Sequence, residues 1–193
     1  MIQNKERSKM MIGGIRVSDY AVVLYFDDTT NSRLQKMIDK VAQSTGVGYM
    51  KTANVPPHVT LAMVLGENER EIADECERFA SEIEGGKEVV FASIGVFNPF
   101  VIYLAPVMND FLREANKTVN ERLQKIAAPG NRGLYLPNNW VPHAAVAVKL
   151  NPETLKKAFA VVQEMFTPFT AKTDRLVLAK CDPYTELKIW DLK

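Results

Sequence analysis

The chain contains two histidines, and each begins a run of the same pattern. Pro57-His58-Val59-Thr60-Leu61-Ala62-Met63-Val64-Leu65 matches Pro142-His143-Ala144-Ala145-Val146-Ala147-Val148-Lys149-Leu150. Imidazole has an unperturbed pKa of about 6.5, so near neutral pH one ring can take a proton while another gives one. A single histidine at the start of an apolar strand is ordinarily a partly buried, hydrogen-bonded residue. Two in matched registers, in a chain with no other histidine, point instead to a working pair.

Strand geometry says how such a pair could meet. Side chains alternate faces along a strand, so Val59, Leu61, Met63 and Leu65 are expected in the core, with His58, Thr60 and Ala62 opposite. In the second copy Ala144, Val146, Val148 and Leu150 form the core face, while His143, Ala145, Ala147 and Lys149 share the other. Approximate two-fold symmetry would aim both imidazoles into one cleft. The small residues Ala62, Ala145 and Ala147 leave room there.

The surrounding sequence alternates strand and helix signals without a linker. Tyr20 to Phe26 is a β-rich run, and a helix follows with Leu34, Met37, Ile38 and Val41 on one face, ended by Gly46 and Gly48. Val55 to Leu65 reads as a strand. Its partner helix carries Ile72, Cys76, Phe79, Ala80 and Ile83. Glu88 to Phe97 and Phe100 to Pro106 are strands around the turn Asn98-Pro99. A helix with Phe111, Leu112, Ala115, Val119, Leu123 and Ile126 inward comes next, then a loop over 131–140 and a strand from Val141 to Leu150. Asn151-Pro152 supplies an N-cap and first-turn proline for a helix with Leu155, Ala158, Phe159, Val162, Met165 and Phe166 inward. Asp174 to Cys181 and Glu186 to Trp190 form a closing hairpin around Asp182-Pro183-Tyr184. The expected fold is α+β and bilobal, with antiparallel sheets lining a central cleft and helices outside. Residues 1–18 read as an N-terminal tail and 19–193 as one domain.

These residues resemble the two-histidine (2H) phosphoesterases, which include RNA 2′-5′ ligase and cyclic phosphodiesterase proteins. The family mark is a strand of the form H-x-[ST]-hydrophobic in each of two lobes. His58-Val59-Thr60-Leu61 satisfies it in full. The resemblance spans about Ser18 to Leu192 and includes the closing Asp174 to Leu178, Tyr184 and Leu187 to Trp190 segments. The second motif departs from the pattern, because Ala145 stands where the family places Ser or Thr.

The resemblance implies opening of a 2′,3′-cyclic phosphate or a related 2′-5′ linkage on a nucleotide or RNA end. His58 and His143 would be the general acid and base, and Thr60 would hold a non-bridging phosphate oxygen, stabilising charge in a pentacoordinate transition state. Ala145 cannot donate a hydrogen bond. Three readings follow: a slow enzyme, an enzyme with a substitute donor, or a protein that binds nucleotides or RNA ends without turnover. A structural or interaction protein with relic histidines is a further option. Lys149 is a candidate to neutralise phosphate charge. Tyr135, Asn138, Asn139 and Trp140 precede the second motif and offer donors or a stacking surface, and Tyr184 is an aromatic at the closing turn that could reach the cleft.

Composition narrows the partners. The 193 residues are 47% hydrophobic and 24% charged, with 24 Lys+Arg against 23 Asp+Glu. That balance argues against a track for long nucleic acid, which needs many phosphate-neutralising cations, and leaves room for one compact phosphate pocket. No apolar run approaches the roughly 20 residues that span a bilayer. Cys76 and Cys181 lack paired spacing with each other or with histidine, so neither a zinc site nor a disulfide framework is expected, and the cytoplasm is the default. No cofactor and no metal are expected.

Overall fold

The computed structural model describes residues 10–12 and 15–193, with side chains from Asp19 onward. Residues 1–18, read as a tail, lie largely outside that set. Where described, they are strands: β1 (Met10–Ile12) pairs antiparallel with the start of β2 (Ile15–Phe26).

The run from Tyr20 to Phe26 is apolar at every position, and it is buried on both faces. Tyr20, Val22, Leu24 and Phe26 belong to the main core. Ala21, Val23 and Tyr25 form a smaller cluster with Val177 on the opposite face. A strand covered on both sides needs no polar alternation. One neighbour of β2 is β3 (Val59–Gly66), which also pairs with the short β6 (Ala128–Pro129). The other is β8 (Phe169–Cys181), whose far side carries β9 (Tyr184–Asp191). A second sheet consists of β4 (Glu88–Phe97), β5 (Val101–Pro106) and β7 (Ala144–Ala147). Every pairing among the described residues is antiparallel. The 13-residue β8 joins the two sheets, because its start pairs with β4 and the remainder with β2.

Helices cover the outer faces, and an Asp or Asn side chain caps the start of each of the four long ones. Asp27 caps α1 (Asp28–Thr45), Asn68 caps α3 (Glu69–Glu82), Asn109 caps α4 (Asp110–Leu123) and Asn151 caps α5 (Pro152–Met165). Such a cap satisfies backbone N–H groups that the first turn leaves unpaired. The one-turn α2 (Tyr49–Thr52) follows α1. The lobes interlock: α1 follows β2 of the first sheet yet packs on β7 of the second, and α4 follows β5 yet packs on β3. Among the described residues no helix is long and apolar enough to cross a membrane, and both cysteines are free.

The structure corrects three expectations about the motif strands and helices. Both strands are shorter than read, leaving His58 and His143 just ahead of them. Each strand also bulges at the same place. Val23 pairs with Thr60 and Val22 with Ala62, so Leu61 is the extra residue; Tyr103 pairs with Ala145 and Ile102 with Ala147, so Val146 is. A bulge inserts one residue and reverses the alternation beyond it. Ala62 and Ala147 therefore join the core rather than the cleft, while Met63 packs on the inner cluster. Finally, Phe159 of α5, expected inward, is exposed.

Candidate active site

Each histidine follows a proline, and each ring is held the same way. His58 Nδ1 lies 2.7 Å from the Pro56 carbonyl oxygen, and His143 Nδ1 lies 2.7 Å from the Val141 carbonyl oxygen. A carbonyl only accepts, so Nδ1 of each ring carries a hydrogen and donates it. The basic lone pair of each neutral ring is thereby placed on Nε2. Burial lowers the pKa of both imidazoles from 6.5, and the charge of His143 lowers that of His58 further. The two rings thus lie within each other's electrostatic reach.

The walls around them are aromatic. The Tyr184 ring stacks on His58, with centroids 6.1 Å apart. Its hydroxyl shares a 2.5 Å hydrogen bond with Tyr25, which also donates to Glu186 Oε1 at 2.6 Å. Burial pushes the Tyr184 pKa up to about 12. On the other side, Phe97 meets His143 edge-on at 4.9 Å, Tyr103 lies at 5.3 Å and Tyr135 at 6.2 Å. Gly95 makes this packing feasible, because a Cβ there would collide with the ring and hydroxyl of Tyr103. Gly95, Tyr103 and Ala145 face one another across three adjacent strands, a small–large–small row.

Thr60 is 7% exposed and Ala145 holds the equivalent place in the second motif. Tyr135 stands between the two halves: the Thr60 side chain acts on its phenol, and its ring flanks His143. Two of the other candidates sit elsewhere. Trp140 is buried, and its Nε1 donates to the Thr60 carbonyl at 3.0 Å. It ties the approach to His143 to the first motif strand and offers no stacking face. Lys149 lies beyond the bulge and beyond the end of β7, at φ 59°, with its ammonium 3.2 Å from the Tyr49 ring centroid. The alternation that assigned it to the cleft ends at Val146. Asn139 donates to the Gly133 carbonyl within its own loop, and Asn138 is exposed.

Two positioning residues were not anticipated. Asn116 and Asn120, each 1% exposed, project from α4. Both donate through Nδ2 to the Leu61 carbonyl, at 2.7 and 3.2 Å, and to the Tyr135 carbonyl, at 2.9 and 3.1 Å. The bulge disrupts the ladder at Leu61, and the amides satisfy its carbonyl there. Because they share both acceptors, either can partly stand in for the other. Single Asn→Ala changes are expected to be mild. Asn116→Ala/Asn120→Ala should destabilise by about 1–3 kcal/mol beyond the sum of the singles, since it orphans buried acceptors. Urea denaturation of the four proteins measures this.

A histidine-headed strand in each of two sheets joined by one long strand is the architecture of a two-histidine phosphoesterase. A family model described as the 2′-5′ RNA ligase superfamily matches residues 30–184. The chain belongs to that superfamily. Solved structures share the fold at low identity. E. coli LigT complexed with 3′-AMP superposes with a TM-score of 0.59 at 15% identity, covering 92% of this chain and 99% of LigT. TT0787 of Thermus thermophilus gives 0.55 at 16% identity, covering 90% and 97%. Kluyveromyces marxianus Usb1 gives 0.50 at 17% identity, covering 91% and 97%. No curated protein matches the chain by sequence.

Proposed function

We propose that the protein hydrolyses 2′,3′-cyclic phosphates, or related 2′-5′ linkages, on nucleotides or RNA ends, without a metal ion. The observation that carries this reading is the identical pinning of both imidazoles through Nδ1. It leaves the basic lone pair of each ring on Nε2, and the charge of one ring is felt by the other, which supports pairing them as acid and base. A neutral Nε2 takes a proton from water as the oxygen attacks phosphorus. A protonated Nε2 on the other ring gives a proton to the departing ribose oxygen. The Thr60 hydroxyl donates to a non-bridging oxygen, and Tyr184 holds His58 from the side. The binding of 3′-AMP by LigT is consistent with a cleft that accepts a ribose phosphate.

The pH dependence follows from the directions of the pKa shifts. Turnover needs one ring neutral and one protonated, so the profile of kcat/KM is bell-shaped and centred between the two apparent pKa values of the pair. Burial lowers both imidazoles below 6.5. The optimum for a 2′,3′-cyclic mononucleotide is therefore expected on the acid side of pH 6.5. A single ionisation, or an optimum above pH 8, would contradict paired imidazole catalysis. Ala145 favours one rival reading, a nucleotide or RNA-end binder without turnover. Titration of the protein with a nucleoside 3′-monophosphate, beside the hydrolysis assay, separates the two.

A further inference from the structure

The missing hydroxyl at Ala145 raises the question of what stands in its place. Tyr103 is the cross-strand neighbour of Ala145, but its ring and hydroxyl lie over Gly95. Tyr135 is placed differently. It enters from the loop ahead of the second motif, its ring is 6.2 Å from that of His143, and the Thr60 side chain acts on its phenol. We infer that Tyr135 supplies the second phosphate-oxygen donor of this site, replacing from the loop the hydroxyl that the second motif lacks. The inference rests on the phosphodiester reading and names a ligand that the paired motifs do not.

The loop is built to hold that phenol still. At its start, β6 pairs with β3, and the Gly130 N–H donates to the Met63 carbonyl at 2.8 Å. A Cβ on Gly130 would press within 3.0 Å of the β3 backbone, so glycine permits the close approach. In the middle, Asn116 and Asn120 hold the Tyr135 carbonyl. At its end, Trp140 donates to the Thr60 carbonyl. Three attachments thus fasten the loop to the strand that carries Thr60, and a donor whose position is fixed before binding is the useful kind. Burial pushes the Tyr135 phenol up to about 12, so it keeps its proton across the working range and can donate. The Thr60 side chain acts on that same phenol. With a phosphate between the histidines, each of the two hydroxyls can turn its hydrogen to a non-bridging oxygen.

The test compares Tyr135→Phe and Ala145→Ser with the parent protein. Steady-state hydrolysis of 2′,3′-cyclic nucleotides is read together with calorimetric binding of a nucleoside 3′-monophosphate. Loss of one such donor should lower kcat for Tyr135→Phe about 10- to 100-fold. Parental kcat in a folded Tyr135→Phe protein overturns the inference and leaves the phosphodiesterase reading standing. Ala145→Ser keeps the inference testable even if Tyr135→Phe fails to fold. If Tyr135 already fills the role, the new hydroxyl raises kcat only slightly; a gain of about 10² or more shows the donor was absent and overturns the inference. If the parent itself shows no turnover, the phosphodiesterase reading fails. Binding then decides the inference separately, with about tenfold weaker affinity in Tyr135→Phe expected and equal affinity contradicting it.

Discussion

Alanine at position 58 or at position 143 will lower kcat/KM for a 2′,3′-cyclic mononucleotide by roughly 10²–10⁴ in each case. The two substitutions remove the same kind of group from equivalent places. Each ring is tied to its own backbone through Nδ1 and to little else by hydrogen bonds, so the fold should survive and the loss should appear as chemistry. The double variant is expected to fall little below the weaker single variant, because an acid without its base partner has no concerted step left to assist. The pH profile carries the diagnosis: each single variant should lose one limb of the bell. Losses near tenfold with both limbs intact would show that the imidazoles merely line the site.

Thr60→Val carries the second large effect. Valine nearly matches threonine in shape and suits the strand, and Thr60 is almost wholly buried, so the substitution removes a hydroxyl with little change of packing. If that hydroxyl stabilises the extra charge of a pentacoordinate phosphorus, kcat falls by roughly 10²–10³, corresponding to about 2.7–4 kcal/mol of transition-state stabilisation. KM should move less than kcat, because the added charge exists only in the transition state. Circular dichroism melting checks that the protein is otherwise intact. A rise in KM with unchanged kcat would reassign Thr60 to ground-state binding.

Much of this was legible in the residues. The scarcity of histidine made the matched Pro-His runs visible, and the helical stripes appear where their spacing placed them, as with Leu34, Met37, Ile38 and Val41. The bulges were not legible. A run such as Val59 to Leu65 is apolar at nearly every position, so nothing in its pattern marks where the ladder slips by one residue, and Ala62 and Ala147 fall on the core face for that reason. The aromatic wall around His143 depends on which strands become neighbours. Gly95, Tyr103 and Ala145 are distant in sequence and share one row only because β4, β5 and β7 pair in that order. Asn116 and Asn120 did leave a signal. Two amides four residues apart interrupt the apolar stripe of Leu112, Ala115, Val119 and Leu123, and a buried amide has to find partners. Trp140 offers a donor or a stacking surface by sequence, but its indole N–H is committed to the Thr60 carbonyl and its ring is buried.

The interlocked arrangement explains how one α4 face can serve both motifs. It clamps the Leu61 carbonyl at the first bulge and the Tyr135 carbonyl in the loop leading to His143. The backbone on which Thr60 and Tyr135 sit is thus held from behind by the two amides.

The most direct measurement is a ³¹P NMR time course of a 2′,3′-cyclic mononucleotide with the protein in excess chelator, beside His58→Ala/His143→Ala. Conversion of the cyclic resonance to a phosphomonoester by the parent, and none above background by the double variant, is the predicted result. Equal conversion by both proteins, or conversion that requires an added divalent ion, would contradict two-imidazole catalysis in this cleft.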